Sequence, residues 1–301
     1  MVKKRVKRKT EVDHIKELIK RSGFPLEIEI AGYIDSQVGW EVSTNSSYLD
    51  KDSNKGREVD ILASCLVDES VQHDILFSNV RLLIECKKIP GNVWVFMKSP
   101  VRSSPPTYVC RSFLNAMEPT PTSESPFIVN PFVKNLHYDR NCQIAKYNDE
   151  YILDENKTNN RTDNLRESIV TLAKVASFQI EQEDANFISE IPAKAEPDWI
   201  TYFFPVIVFD GKMYLAELEG EDFKLSPANH VLLSTTYISG QYNINLGIDV
   251  VHKNSFSKFF SEIEKDVATI RKFLPSEEMT RFRSEVSRKV KQQKAERGFF
   301  V

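Results

Sequence analysis

No apolar run in this 301-residue chain approaches the roughly 20 residues needed to cross a bilayer, so no membrane span is expected. Cysteine is scarce and scattered: Cys65, Cys86, Cys110 and Cys142 form no C-x-x-C pair. That argues against a disulfide framework or a zinc site and points to a reducing, cytoplasmic setting. The five histidines (His14, His73, His137, His230, His252) show no H-x-H or H-x-x-x-H spacing, so surface or hydrogen-bonded roles are expected rather than a metal site or general base. A G-x-x-x-x-G-K-S/T loop is missing, which excludes an ATP-driven motor. The basic start, Met1 to Lys9, is not followed by an apolar stretch, so secretion is not expected.

What is present is the composition of an ordinary globular protein, 41% hydrophobic and 28% charged. The net charge of -3 hides an uneven distribution, with six Lys or Arg among the first nine residues and seven between Arg281 and Arg297. Basic ends on a mildly acidic protein are either arms that neutralise phosphates or solvated surface.

Periodicity organises the chain between those ends. Val12, Ile15, Leu18 and Ile19 predict a helix over about 11–22, stopped by Gly23. Pro25 opens a second, with Leu26, Ile30, Tyr33, Ile34 and Val38 as its stripe and Gly39 at its end. Strands are expected over 40–48, 59–63 and 80–86, with a turn-rich loop at Asp50–Gly56 and a sharp exit at Pro90-Gly91. Val93 to Met97 reads as another extended segment. Prolines cluster between Ser99 and Pro131, which reads as a long irregular connection, and 148–164 as a polar stretch. A strong helix is expected over about 163–183. A strand over 203–209 then meets Asp210-Gly211, a hairpin signal, and returns as 213–218. Strands near 231–237 and 244–251, a helix over 256–273, and a last basic helix after Pro275 complete the reading.

Three polar residues stand where strands should be apolar or just ending. Asp60 precedes Ile61-Leu62-Ala63, and Glu85 and Lys87 close Leu82-Leu83-Ile84. Period-two geometry puts Glu85 and Lys87 on one face, and neighbouring strands can bring Asp60 beside them. Two carboxylates with open positions suit a hard cation such as Mg²⁺, with the Cys86 carbonyl as a further oxygen. Phosphodiester hydrolysis needs an activated water and charge neutralisation, which a metal and a nearby ammonium supply. The spacing by itself is weak. Glu155-Asn156-Lys157 repeats E-x-K, while Asp210-Gly211-Lys212 and Asp222-Phe223-Lys224 give D-x-K. The plain alternative is a strand-end ion-pair cluster. Trp94 and Phe96, just beyond, suit either base stacking or the core.

Gly56-Arg57-Glu58-Val59-Asp60-Ile61-Leu62-Ala63, followed by Leu82-Leu83-Ile84-Glu85-Cys86-Lys87-Lys88, resembles the active-site strands of the PD-(D/E)XK, or restriction endonuclease-like, superfamily. Val59 stands where that family has Pro, and the resemblance covers about residues 23–100. It implies an α/β fold, a restriction endonuclease-like core with a mixed central sheet flanked by helices and extended by C-terminal strands and helices. It also implies a helix-borne carboxylate, for which Glu27 fits better than Glu29 because it flanks the stripe at 30, 31 and 34. The implied site is Asp60, Glu85, Lys87 and Glu27, with metal held by Asp60, Glu85, Cys86 and Glu27, and Mg²⁺ replaceable by Mn²⁺. Lys55, Arg57 and Lys88 are the expected phosphate contacts. The expected units are a basic arm and helix (1–22), a nuclease domain (23–274) and a basic C-terminal helix (275–301). DNA is the expected substrate, with RNA open. A homodimer is an expectation from cutting two strands, and a non-catalytic nucleic-acid-binding or scaffolding module is the alternative.

Overall fold

The computed structural model describes residues 10–71, 74–98, 109–113, 136–140, 143–152, 163–190 and 198–277. It begins with α1 (Glu11–Arg21) and α2 (Phe24–Asp35). Thr10 and Asp13 close a reciprocal capping box at the start of α1, and Pro25 sits in the first turn of α2, where its missing N–H costs nothing. Three long strands follow, β1 (Trp40–Asp50), β2 (Lys55–Val71) and β3 (Asp74–Lys98), paired antiparallel in sequence order. Then come β4 (Val109–Phe113), the short α3 (His137–Arg140), β5 (Ile144–Ile152) and α4 (Asn164–Glu190). The chain continues through β6 (Asp198–Glu219), β7 (Asp222–Pro227), β8 (His230–Ile238), β9 (Asn243–His252) and α5 (Phe256–Phe273).

The result is a mixed α/β architecture with one large sheet between helices. β3 and β6 run parallel, as do β6 and β9, while β4 and β7 pair antiparallel with β6. Parallel neighbours need a crossover, and α4 lies in the one joining β3 to β6. Phe203 to Phe209 of β6 are all buried, because helices cover both faces of the sheet there. One apolar layer unites α2 and α5 with Ile61, Ala63, Ile84 and Cys86. The other unites α4 with Val59, Leu83, Trp94 and Phe209.

Several expectations are corrected. β3 does not end at Pro90-Gly91: Gly91 takes φ 88°, and the strand resumes against β5 and β6. Asp210-Gly211 is no hairpin, since β6 runs straight through it. A side chain at Gly211 would meet the Phe209 ring at 2.3 Å, so close approach, not turn geometry, calls for glycine there. The hairpin lies later, where Glu219 pairs with Asp222 and Gly220 has φ 69°. Val38 lies beyond the end of α2 and is exposed, as are Val12, Ile15, Leu18 and Ile19 on α1. β4 falls within the proline-rich connection read as irregular, and the end of β5 runs into the stretch read only as polar. α4 runs on to Glu190. Residues 1–9, most of 99–135 and 278–301, and with them both basic ends, lie outside the described residues. Among the described residues, no helix is long and apolar enough to cross a membrane.

Candidate active site

The site forms where two ladders part. β2 and β3 pair down to Ile61↔Ile84, and one further step of that register sets Asp60 opposite Glu85. Beyond it β2 stays with β1 as far as Lys55, and β3 stays with β6 as far as Lys88. At the fork the Asp60 carboxylate accepts the Cys86 N–H, at 2.7 Å. The β1–β2 ladder also skips a rung here, between Thr44↔Ile61 and Ser46↔Val59, and Asn45 has φ 51°. On either side of Asp60, the odd positions of β2 are buried in different layers, Ile61 under α2 and α5 and Val59 under α4. Asp60 therefore sits at a crossover in the sheet, where its carboxylate escapes both apolar layers.

Glu85 and Lys87 share a face, as period two requires, and the Lys87 ammonium lies 2.9 Å from Glu85 Oε2. Glu85 is 3% exposed. Burial, reinforced by the Asp60 charge, pushes its carboxyl up to about 7 against the pull of Lys87. Burial likewise raises Asp60, against the Cys86 N–H and Lys87. Glu27, in the first turn of α2, is raised by burial and by Asp60. Burial works to lower Lys87, but Glu85 and Asp60 outweigh it and leave the ammonium raised. These linked electrostatics place Glu27 with the trio, whereas Glu29 is exposed on the far side of α2. Cys86 points into the apolar layer, and burial drives its thiol far above the usual range, so the sulfur is inert.

A cleft of about 700 Å³ opens above Asp60, Glu85 and Lys87. One wall is the β1–β2 hairpin, through Tyr48, Asp50, Arg57 and Glu58. The other is the first half of α4, through Asp163, Arg166, Glu167, Val170, Thr171 and Lys174. The lining thus holds six carboxylates (Asp50, Glu58, Asp60, Glu85, Asp163, Glu167) against four cations (Arg57, Lys87, Arg166, Lys174). Lys174 is buried and bonded to Asp50 (2.7 Å) and Asp52 (3.0 Å). The Tyr48 hydroxyl, pushed up to about 12 chiefly by burial, engages Thr171.

The remaining sequence candidates scatter. Arg57 lines the cleft, and Lys55 is exposed at the start of β2. Lys88 points the other way from Lys87 and donates to the Lys20 carbonyl at 2.6 Å, closing the end of α1. Trp94 and Phe96 are core residues, Trp94 stacked 3.7 Å from Phe209, so neither is open to a base. The look-alike Asp210 pairs with Lys253 at 2.8 Å, and Lys224 with Glu219 at 3.1 Å, both away from the cleft; Glu155 lies outside the described residues. Tyr48, Arg166, Thr171 and Lys174 escaped sequence reasoning. For the last three the signal was the polar positions 163, 166, 167, 171 and 174, which recur at helical spacing beside the apolar stripe of α4.

Among the described residues, no group of three or more His, Cys, Asp or Glu forms a protein-only metal cage. Mg²⁺ does not need one, because it binds through one or two carboxylates and completes its shell with water and substrate phosphate. Asp60 and Glu85, facing each other with Glu27 nearby, fit that donor count. Comparison with protein families, with curated proteins and with solved structures finds no match to this chain.

Proposed function

We propose that this chain is a metal-dependent nuclease with a restriction endonuclease-like core, hydrolysing phosphodiester bonds in DNA. The observation that carries the reading is that Asp60 and Glu85 stand at the β2–β3 fork, one step beyond the last pair Ile61↔Ile84, with Lys87 bonded to Glu85 at the floor of an open cleft. A buried carboxylate beside a half-buried one, with a single lysine for the two, leaves negative charge that a divalent cation would balance. The surplus of carboxylates over cations in the lining also repels a polyanion unless divalent ions enter with it.

Asp60 and Glu85 would hold the metal, Glu27 would support it, and the Cys86 carbonyl is available as a further oxygen. A divalent cation bound there supplies charge neutralisation and an activated water. Lys87, held charged by its contact with Glu85, would orient the attacking water and balance negative charge gathering on the phosphate. The backbone N–H of Cys86 fixes the Asp60 carboxylate, so the floor is preorganised.

The test is cleavage of plasmid and linear DNA by the full chain with Mg²⁺ or Mn²⁺. Asp60→Ala and Lys87→Ala should each lower the rate by about 100- to 1,000-fold, the scale of losing one transition-state contact. Wild-type protein that cuts neither DNA nor RNA, and shows no carboxylate-dependent Mg²⁺ binding, would leave a non-catalytic module as the better reading.

A further inference from the structure

The shape of the cleft bears on which form of nucleic acid can reach its floor. Its volume is about 700 Å³. It falls among clefts that enclose a single compact ligand, roughly 300–1,000 Å³. The floor is deep as well, with the Glu85 side chain 4% exposed and that of Lys87 28%.

The α4 wall is fastened in place. Lys174 binds Asp50 at 2.7 Å and Asp52 at 3.0 Å, and Lys51 binds Glu181 at 2.5 Å. These ion pairs join α4 to the β1–β2 turn, and Leu172, Ala173, Val175 and Ala176 are fully buried beneath the helix. Opening the cleft to admit a second strand would break both the ion pairs and that packing. Of the four cations in the lining, Lys174 and Lys87 are committed to carboxylates. Arg57 on the hairpin and Arg166 on α4 are exposed, one on each wall, and neither makes a hydrogen bond or ion pair among the described residues. A guanidinium on each side of the floor suits bidentate contacts to successive phosphates of one strand.

We propose that the substrate enters this cleft as a single unpaired DNA strand, gripped through its phosphates by Arg57 and Arg166 on either side of the bond attacked. The inference rests on the nuclease reading above, and extends it to the form of the substrate. A duplex lying across the mouth would drive its second strand against α4 while its nearer phosphate stayed above Glu85.

The experiment compares one end-labelled oligonucleotide, single-stranded and as a blunt duplex, with the full chain and Mg²⁺. The single strand should be cut at least about tenfold faster, and Arg57→Ala with Arg166→Ala should raise its KM about tenfold while kcat changes less than about twofold. Lysine at both positions should restore part of the loss, since charge returns without the bidentate geometry. A duplex cut as fast as the single strand, or a KM unmoved in the double variant, overturns the proposal and leaves the nuclease reading standing. If neither form is cut, fluorescence anisotropy of both forms with Asp60→Asn protein in Mg²⁺ decides. A single-strand preference that disappears in the arginine double variant supports the grip without catalysis, and equal binding of both forms, or none, overturns it.

Discussion

Two polar clusters lie on opposite sides of the sheet, and they are built on opposite principles. Under α5, Asp249 accepts from His137 (3.0 Å) and His230 (2.7 Å), and Asp266 accepts from the His137 backbone and ring and from Arg140 (2.7 Å). Each carboxylate has its donors, and the whole is closed by Phe204 and Phe259. Under α4, Asp60 and Glu85 stand at the fork with Lys87 against Glu85 and open space above. The first cluster is finished by the chain itself and ties α3 to α5, β8 and β9. The second lines a cleft and sets two carboxylates beside one lysine. Polarity closed off by its own partners reads as architecture, and polarity that lines an open cleft marks a candidate site.

The sharpest way to break this contrast is one chemical change made in both places. Asp266→Asn strips the charge from a carboxylate holding His137 and Arg140, leaving Asp249 to hold the buried His137 and Glu262 to hold Arg140. It should cost about 3–5 kcal/mol in urea unfolding. Asp60→Asn in metal-free buffer removes the repulsion on Glu85 and keeps an oxygen for the Cys86 N–H. Its stability should match the wild type or exceed it by up to about 1 kcal/mol, while cleavage is lost. Equal destabilisation by the two variants would mean that both clusters are structural.

Acid and base probe the closed cluster next. Burial works to lower His137, but Asp249 and Asp266 outweigh it and raise its pKa from 6.5 to about 9. A histidine raised on folding contributes stability that is complete below the unfolded value and lost as pH rises through the folded one. The melting temperature should therefore fall between pH 6.5 and about 9. In His137→Phe protein that part of the alkaline fall should vanish. The His137 ring lies between two aromatic faces that a phenyl ring also fills, so a fall of the same size in the variant would assign it to other groups.

Much of the scaffold was legible because local patterns carry it. Helical spacing placed α1, α4 and α5, and short apolar runs placed the strands that bear Asp60 and Glu85. Period two alone set Glu85 and Lys87 on one face with Cys86 opposite. Misreadings came where one local signal has two causes. Asp210-Gly211 looks like a turn, yet its glycine answers to a ring two residues away. Pro90-Gly91 looks like an exit, yet a single residue at φ 88° bends β3 without ending it. The stripe of α1 marks a helix correctly, but periodicity says nothing about whether a partner covers it, and here its apolar residues stay exposed.

By itself, then, the sequence determined the residues of the trio and their sidedness, because alternation along a strand is a property of the backbone. Tertiary structure alone decided that Asp60 meets Glu85 at a fork and that α4 supplies the second wall. It also decided that His137, unremarkable in the sequence, is locked between Asp249 and Asp266, which lie 112 and 129 residues along the chain. Those outcomes depend on which surfaces a register and a crossover bring together. No periodicity within one element encodes that.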